Sequence, residues 1–433
     1  MIPNIFLRLG NRIRSGPKSL ATFYYSGSSL VCQSVRFAGM VVATSRIQAN
    51  QFGILASAVM VCSLASILRE FGQNSALLSS PGIQPGYARV HFLLTVCANA
   101  IGMLLAVGGV LLIPSLHDLR GLWLLLLFQI VFETITFTPM IVAQKSFAFK
   151  GLALVEISAV TTWLVITIIA ALRFPVAYAL LAARLGETAV RGIVLFVWQF
   201  PSLWDGRPTR KIFRYYFGFA KLLAPKSWLE ILGGNIDVLL LRVFTNNVEI
   251  GIYDRTMQLL RVPLSLSVNL IDAVAGASYS REQSTPEVAH RTLRKFSLVV
   301  LLGALLGVAL VQIFLSFAAG PILGATWKQS IESVWFWAIP FAILRPFFWN
   351  FNIFFQATGR PKELLLTLAL AIIMILVVGS IATSLLGVRG LFLALAASTL
   401  ISLFFQIRWA RRVRELSPAF RPAQSIAVEE RPQ

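Results

Sequence analysis

The feature that most restricts this sequence is a stretch such as SLVVLLGALLGVALVQIFLSFAA, from Ser297, which carries no charge over a length that crosses a bilayer as one helix. Runs of this kind recur at 20–43, 51–68, 90–113, 121–143, 152–172, 175–198, 215–242, 250–278, 297–319, 331–355, 364–386 and 390–407. Backbone N–H and C=O groups inside lipid must be satisfied within the segment, so runs of this length are expected to be helices. Composition agrees with a chain dissolved in lipid. Apolar residues make up 57% and charged residues 13%, against about 45–50% and about 25% in soluble domains. The expectation is an all-α polytopic membrane protein of about twelve transmembrane helices. No connector is long enough for a folded soluble domain, the longest running from Arg69 to Arg89.

The chain has 38 Lys and Arg against 18 Asp and Glu, a net charge of +20. The cations fall between the apolar runs, a pattern that suits loops facing an anionic leaflet rather than nucleic acid. If the N-terminus is cytoplasmic, inner segments hold twenty-four cations and outer segments five, namely Arg46, Arg120, Arg173, Lys328 and Arg389. Cytoplasmic loops retain Lys and Arg, so both termini are expected inside a bacterial inner membrane. Trp123, Trp327, Trp335 and Trp337 at outer ends, with Trp198, Trp204 and Trp409 at inner ends, suit interfacial belts or simple core packing. Residues 1–19 read as a basic cytoplasmic leader and 408–433 as a basic cytoplasmic tail whose last part is too polar to fold alone. Cys32, Cys62 and Cys97 lie inside apolar runs, and His91, His117 and His290 are far apart. Neither a disulfide framework, a metal site nor a cofactor is expected.

The basic connector 201–214, PSLWDGRPTRKIFR, separates six runs from six, giving lobes at 20–200 and 215–407. ANQFGILAS around Gly53 and NNVEIGIYDR around Gly251 form a weak repeat, each after the first run of its half, at an offset of 198 = 251 − 53. Parallel repeats of this kind predict a pseudo-twofold axis along the membrane normal and lobes that rock about a central site. Pro139, Pro225, Gly233, Gly234, Pro263, Pro340 and Pro346 are candidate interruptions.

The stretch LGGNIDVLLLRVFTNNVEIGIYDRTMQLLRVPLSL, from Leu232, resembles the polysaccharide transporter family, the O-antigen and exopolysaccharide flippases of the multidrug/oligosaccharidyl-lipid/polysaccharide exporter superfamily. Asp237, Gly251, Tyr253 and Pro263 carry the likeness. SRIQANQFGIL, with Arg46, Phe52 and Gly53, resembles the first hairpin of that family, and AQKSFAFKGLALVEISA, from Ala143, is similar to its basic turn after the fourth span. The chain departs from the family pattern in its short loops and the turn at Asn246 and Asn247. The resemblance implies a twelve-helix protein moving polyprenyl-diphosphate-linked oligosaccharide to the outer leaflet, among polysaccharide polymerase and glycosyltransferase partners.

Nine cations and eight acids fall inside the runs, where a lipid-facing charge costs about 2.5–3.5 kcal/mol on insertion scales. They are expected to face the bundle interior. Spacing pairs Arg184 with Glu187, Glu187 with Arg191 and Lys226 with Glu230, whereas Glu156, Arg242, Arg255 and Glu332 lie near ends from which they can reach the interface. Arg36 and Arg345 have no local partner and require an acid from another helix or an anionic ligand. Arg36, Lys221, Lys226 and Arg345 are therefore the candidate substrate-binding cations of a central cavity, and Glu230 and Asp237 the candidates for ion coupling. A lipid-linked oligosaccharide flippase is the leading expectation. A cation-coupled multidrug antiporter is disfavoured by the intramembrane cations, and a membrane glycan polymerase or glycosyltransferase by the lack of a substantial external loop.

Overall fold

The computed structural model describes residues 17–80, 86–270, 275, 278–279 and 286–415, to which the following statements apply. Most of the leader and the end of the tail, 416–433, lie outside them. The described chain is helix after helix, without a strand. In order these are α1 Pro17–Arg46, α2 Ala49–Ala65 with a 3-10 turn to Arg69, α3 Gln73–Ser79, α4 Tyr87–Leu112, α5 Trp123–Lys145, α6 Phe149–Arg173 and α7 Ala177–Trp204. The second half continues with α8 Arg210–Gly233, α9 Ile236–Phe244, α10 Asn247–Leu270, α11 Pro286–Ile313, α12 Ala319–Leu323, α13 Ala325–Ala357 and α14 Pro361–Glu415. Each of the twelve expected runs falls on helix, although the end of the eighth, beyond Leu270, is largely outside the described residues. Seven stretches qualify as spans by length and apolarity alone, and Pro361–Arg412 among them contains two of the expected runs.

Helix ends follow local chemistry. Proline opens α1, α11 and α14, where its missing N–H has no helical partner to lose. The Thr209 side chain accepts from Ile212 N at 3.4 Å to cap α8. Of the candidate interruptions, Gly233 and Gly234 do end a helix, separating α8 from α9. Pro139, Pro225, Pro340 and Pro346 remain inside continuous helices, because one lost hydrogen bond does not break a helix supported by neighbours on several sides. The chain also breaks at Gly387, whose φ of 58° splits α14 within the connector expected between the runs 364–386 and 390–407. A π-helical turn, Phe314–Ala318, joins α11 to α12.

Within the first half, α5 packs on α7, α6 on both α1 and α7, and α4 on α5; within the second, α14 packs on α13 and α9, and α11 on α10 and α13. The halves join where α2 crosses α10. There a Cβ on Gly53 would lie 1.8 Å from the Asn247 carbonyl oxygen, and one on Gly251 1.9 Å from that of Ala49. Both contacts obey the repeat, since 251 − 53 and 247 − 49 each equal 198. Only glycine allows two helix backbones this close. Trp327 completes the crossing: its Nε1 donates to Ile47 O at 3.1 Å and its ring meets Phe52 edge-on. Trp327 and Trp335 are thus core residues rather than interfacial anchors, while Trp123, Trp198 and Trp204 are exposed. The largest apolar core gathers at this end from both halves. At the other end the start of α8 packs on the first half, Tyr215 donating to Ala76 O and Tyr216 to Tyr87 O, both at 3.1 Å.

Candidate functional site

Two cavities lie beyond the crossing. One, of about 440 Å³, is lined along α2 by Phe52, Leu55, Ala56, Val59 and Met60; the other, of about 700 Å³, takes Ser63, Ser66 and Arg69 further along that helix. Arg36, Arg184, Glu187 and Asn235 line both. The two are therefore adjoining parts of one charged space between α1, α2, α7 and the α8–α9 break, with α10 closing the smaller part.

Arg36 does not stand alone. It donates to Glu187 Oε1 at 2.5 Å, and Arg191 donates to the same oxygen at 2.7 Å. Arg191 also pairs with Glu156 at 2.9 Å, so Glu156 is held inside the bundle rather than reaching the interface. The expected Arg184–Glu187 pair is not formed: Glu187 is committed to Arg36 and Arg191, and Arg184 has no ion pair among the described residues. Spacing along one helix suggested the partner, but the Glu187 oxygen is shared instead by Arg36 of α1 and by Arg191, one turn further along α7.

Arg69, assigned by sequence to a loop, turns into the larger cavity, 3.4 Å from Glu133 and 3.5 Å from Glu70, with its guanidinium 4.2 Å from the Phe137 ring centre. Burial pushes the Glu70 carboxyl above its ordinary value, against the lowering effect of Arg69. Arg255 crosses the junction, paired with Asp254 at 2.5 Å and stacked 3.9 Å over Phe52 of the other half.

The candidate residues are only partly brought together. Arg36 and Glu230 line the larger cavity; Asp237, with Arg36, lines the smaller, buried and accepting hydrogen bonds from the Tyr253 hydroxyl and Val238 N. Lys226 pairs with Glu230 at 3.5 Å and donates to Gln356 at 3.2 Å. Neither Lys226 nor the exposed Lys221 contributes to either lining. Arg345 also lies outside both linings, its guanidinium between 5.1 and 5.8 Å from the ring centres of Phe341, Phe348 and Trp349. Three aromatic faces lie beside this guanidinium, with the Asp237 carboxylate, an acid from another helix, within electrostatic range.

Together the linings hold six arginines (36, 69, 184, 191, 255, 261) and six acids (70, 133, 187, 230, 237, 254). The wall is charge-balanced in formal terms, a property invisible while the cations were counted along the whole chain. Among the described residues no group of three or more His, Cys, Asp or Glu side chains is arranged to hold a metal ion.

A multi-pass helical bundle with a charged space between two repeats defines a membrane transporter fold. The sequence match is more specific: the chain belongs to the family described as "Polysaccharide biosynthesis protein", which matches residues 46–332. No curated protein matches the sequence. The fold is similar to the inward-facing conformation of a multidrug resistance MATE family transporter of the MOP superfamily, with TM-score 0.70, 13% identity and coverage of 89% of this chain and 96% of that one. It is similar also to lipid II flippase MurJ in an inward closed conformation, with TM-score 0.69, 12% identity and coverage of 89% and 87%. An outward-facing MATE structure matches with TM-score 0.60, 16% identity and coverage of 93% and 97%.

Proposed function

We propose that this protein is a flippase that carries a lipid-diphosphate-linked oligosaccharide across the bacterial inner membrane for surface or exported polysaccharide synthesis. The observation that carries the reading is the charged cavity, whose arginines face inward from both repeats of a chain in the polysaccharide biosynthesis family. Guanidinium groups present parallel donors to phosphate oxygens, and several of them face one open cavity. The lipid tail needs no protein-enclosed site, because it can stay in the bilayer while the headgroup crosses. In the proposed orientation both termini are cytoplasmic, and the Gly53–Gly251 crossing closes the periplasmic side. Glu230 and Asp237 are the proposed ion-coupling acids. The family setting implies work alongside a polymerase and glycosyltransferases, with transport rather than bond chemistry as this chain's part.

The equal number of acids favours one second reading, cation-coupled antiport, since carboxylates in a cavity can hold a cationic solute or a proton. Reconstitution separates the two. Liposomes containing the protein should move a fluorescent diphosphate-linked oligosaccharide between leaflets and leave a cationic dye untouched. Dye export without lipid movement would establish the antiporter in its place.

A further inference from the structure

Charge pairing within the cavity separates its arginines into two kinds. Arg36, Arg69, Arg191 and Arg255 each lie within 3.5 Å of a carboxylate. The acids are equally committed: Glu230 is paired with Lys226, and Asp237 accepts from Tyr253 and Val238. Arg184 and Arg261 have no ion pair among the described residues. Arg184 is half-buried, with its Nε lacking a hydrogen-bond partner, and it stands where the two cavities meet. Arg261 is exposed on the smaller cavity.

These two cations come from opposite halves, Arg184 from α7 and Arg261 from α10, and both line the cavity of about 440 Å³. A partly buried guanidinium that no carboxylate contacts directly, with Glu187 acting on Arg184 only at longer range, gains from a ligand that supplies negative charge in contact with it. We propose that Arg184 and Arg261 are the primary anchors of a dianionic diphosphate headgroup, held between the halves by one cation from each. The proposal deepens the flippase reading and rests on it. Two positive charges that no described carboxylate contacts directly match two negative charges, so a diphosphate fills both anchors and a singly charged group fills one. Arg36 then has a secondary part, since it must leave Glu187 before it can bind a phosphate oxygen. A ligand shared between the halves would also make its release sensitive to their separation.

The test uses the full-length protein in lipid nanodiscs with the P1-geranylgeranyl P2-methyl diphosphate diester, which carries two negative charges, the singly charged geranylgeranyl methyl phosphate and the uncharged alcohol as probes. The wild type should bind the diphosphate more tightly than the methyl phosphate. Arg184→Ala and Arg261→Ala should each weaken diphosphate binding by about 10-fold or more, as loss of a charge-assisted contact implies. Each should also bring the preference for diphosphate over methyl phosphate close to one, with Arg184→Lys restoring part of both. Arg36→Ala should weaken binding less than Arg184→Ala. A general loss of folding would not narrow the preference selectively, and thermal unfolding of each variant identifies such a loss. Diphosphate affinity and preference unchanged in well-folded Arg184→Ala and Arg261→Ala proteins would overturn the anchor assignment while leaving the flippase reading intact. Failure of the wild type to prefer diphosphate over the alcohol would overturn both.

Discussion

The crossing of α2 with α10 and the cavity beside it solve opposite problems. At the crossing, Gly53 and Gly251 let each helix rest against a carbonyl of the other, and apolar side chains from both halves close around the contact. In the cavity, six arginines and six acids occupy the wall. Close backbone packing suits a surface that must seal and part as a unit, because a packed interface has few intermediate arrangements. Charges held by partial and shared pairs suit a surface that must accept a charged solute and then release it. Under the proposed function this is a division of labour, with the crossing as the seal and the cavity charges as the means of selection.

Substitutions should divide along the same line. The largest effect is expected at Arg191, which is tied to Glu156 and Glu187. Removing one partner of a buried charge network costs about 3–5 kcal/mol, so Arg191→Ala should lower membrane level and melting temperature before transport can be judged. Normal abundance and melting would show that the triad does not hold α6 and α7 together.

Gly53→Ala and Gly251→Ala should come next. Added methyl groups in a packed contact cost about 1–3 kcal/mol, and here the obstacle is backbone. In a background with Cys32, Cys62 and Cys97 replaced by serine, a cysteine at Met257 beyond the crossing should react faster with an impermeant maleimide added outside. Equal labelling rates with and without the methyl groups would separate the crossing from the outer seal.

Arg36→Ala should leave protein level near normal, because the side chain is solvent-facing within the cavity, and reduce flipping by up to about 10-fold through one lost charged contact. The smallest effect is expected at the rim of the crossing, where Asp118 accepts from both Arg242 and Asn247. Asp118 is partly exposed, so Asp118→Asn should change stability by no more than about 1 kcal/mol. A loss as large as that from Gly53→Ala would move the seal from the glycines to this polar clasp.

Much of the seal was legible in the sequence. The apolar runs located the helices, and the 198-residue offset singled out the two glycines that touch across the halves. The pattern did not say that the matching segments meet, nor that Trp327 inserts beside them. The cavity was less legible because its pairs join distant residues: Arg36 reaches Glu187 across 151 positions. Spacing found the Glu187–Arg191 and Lys226–Glu230 pairs, which lie within single helices, and failed for Arg184, whose apparent partner Glu187 is taken by Arg36 of α1 and by Arg191 of its own helix. The surroundings of Arg345 were illegible because its aromatic neighbours Phe341, Phe348 and Trp349 carry no charge for a count along the chain to register.

The central claim is that the halves part at the α2–α10 crossing during transport. In the cysteine-free background, Gln48→Cys and Val248→Cys place one thiol beside the start of each helix, at exposed positions on the two sides of the seam. Joining them with a short, reducible bifunctional thiosulfonate and measuring lipid flipping in liposomes tests that claim most directly. Flipping should stop when the cross-link is complete and return when a reductant cleaves it. Full flipping with the cross-link shown to be complete would contradict the account.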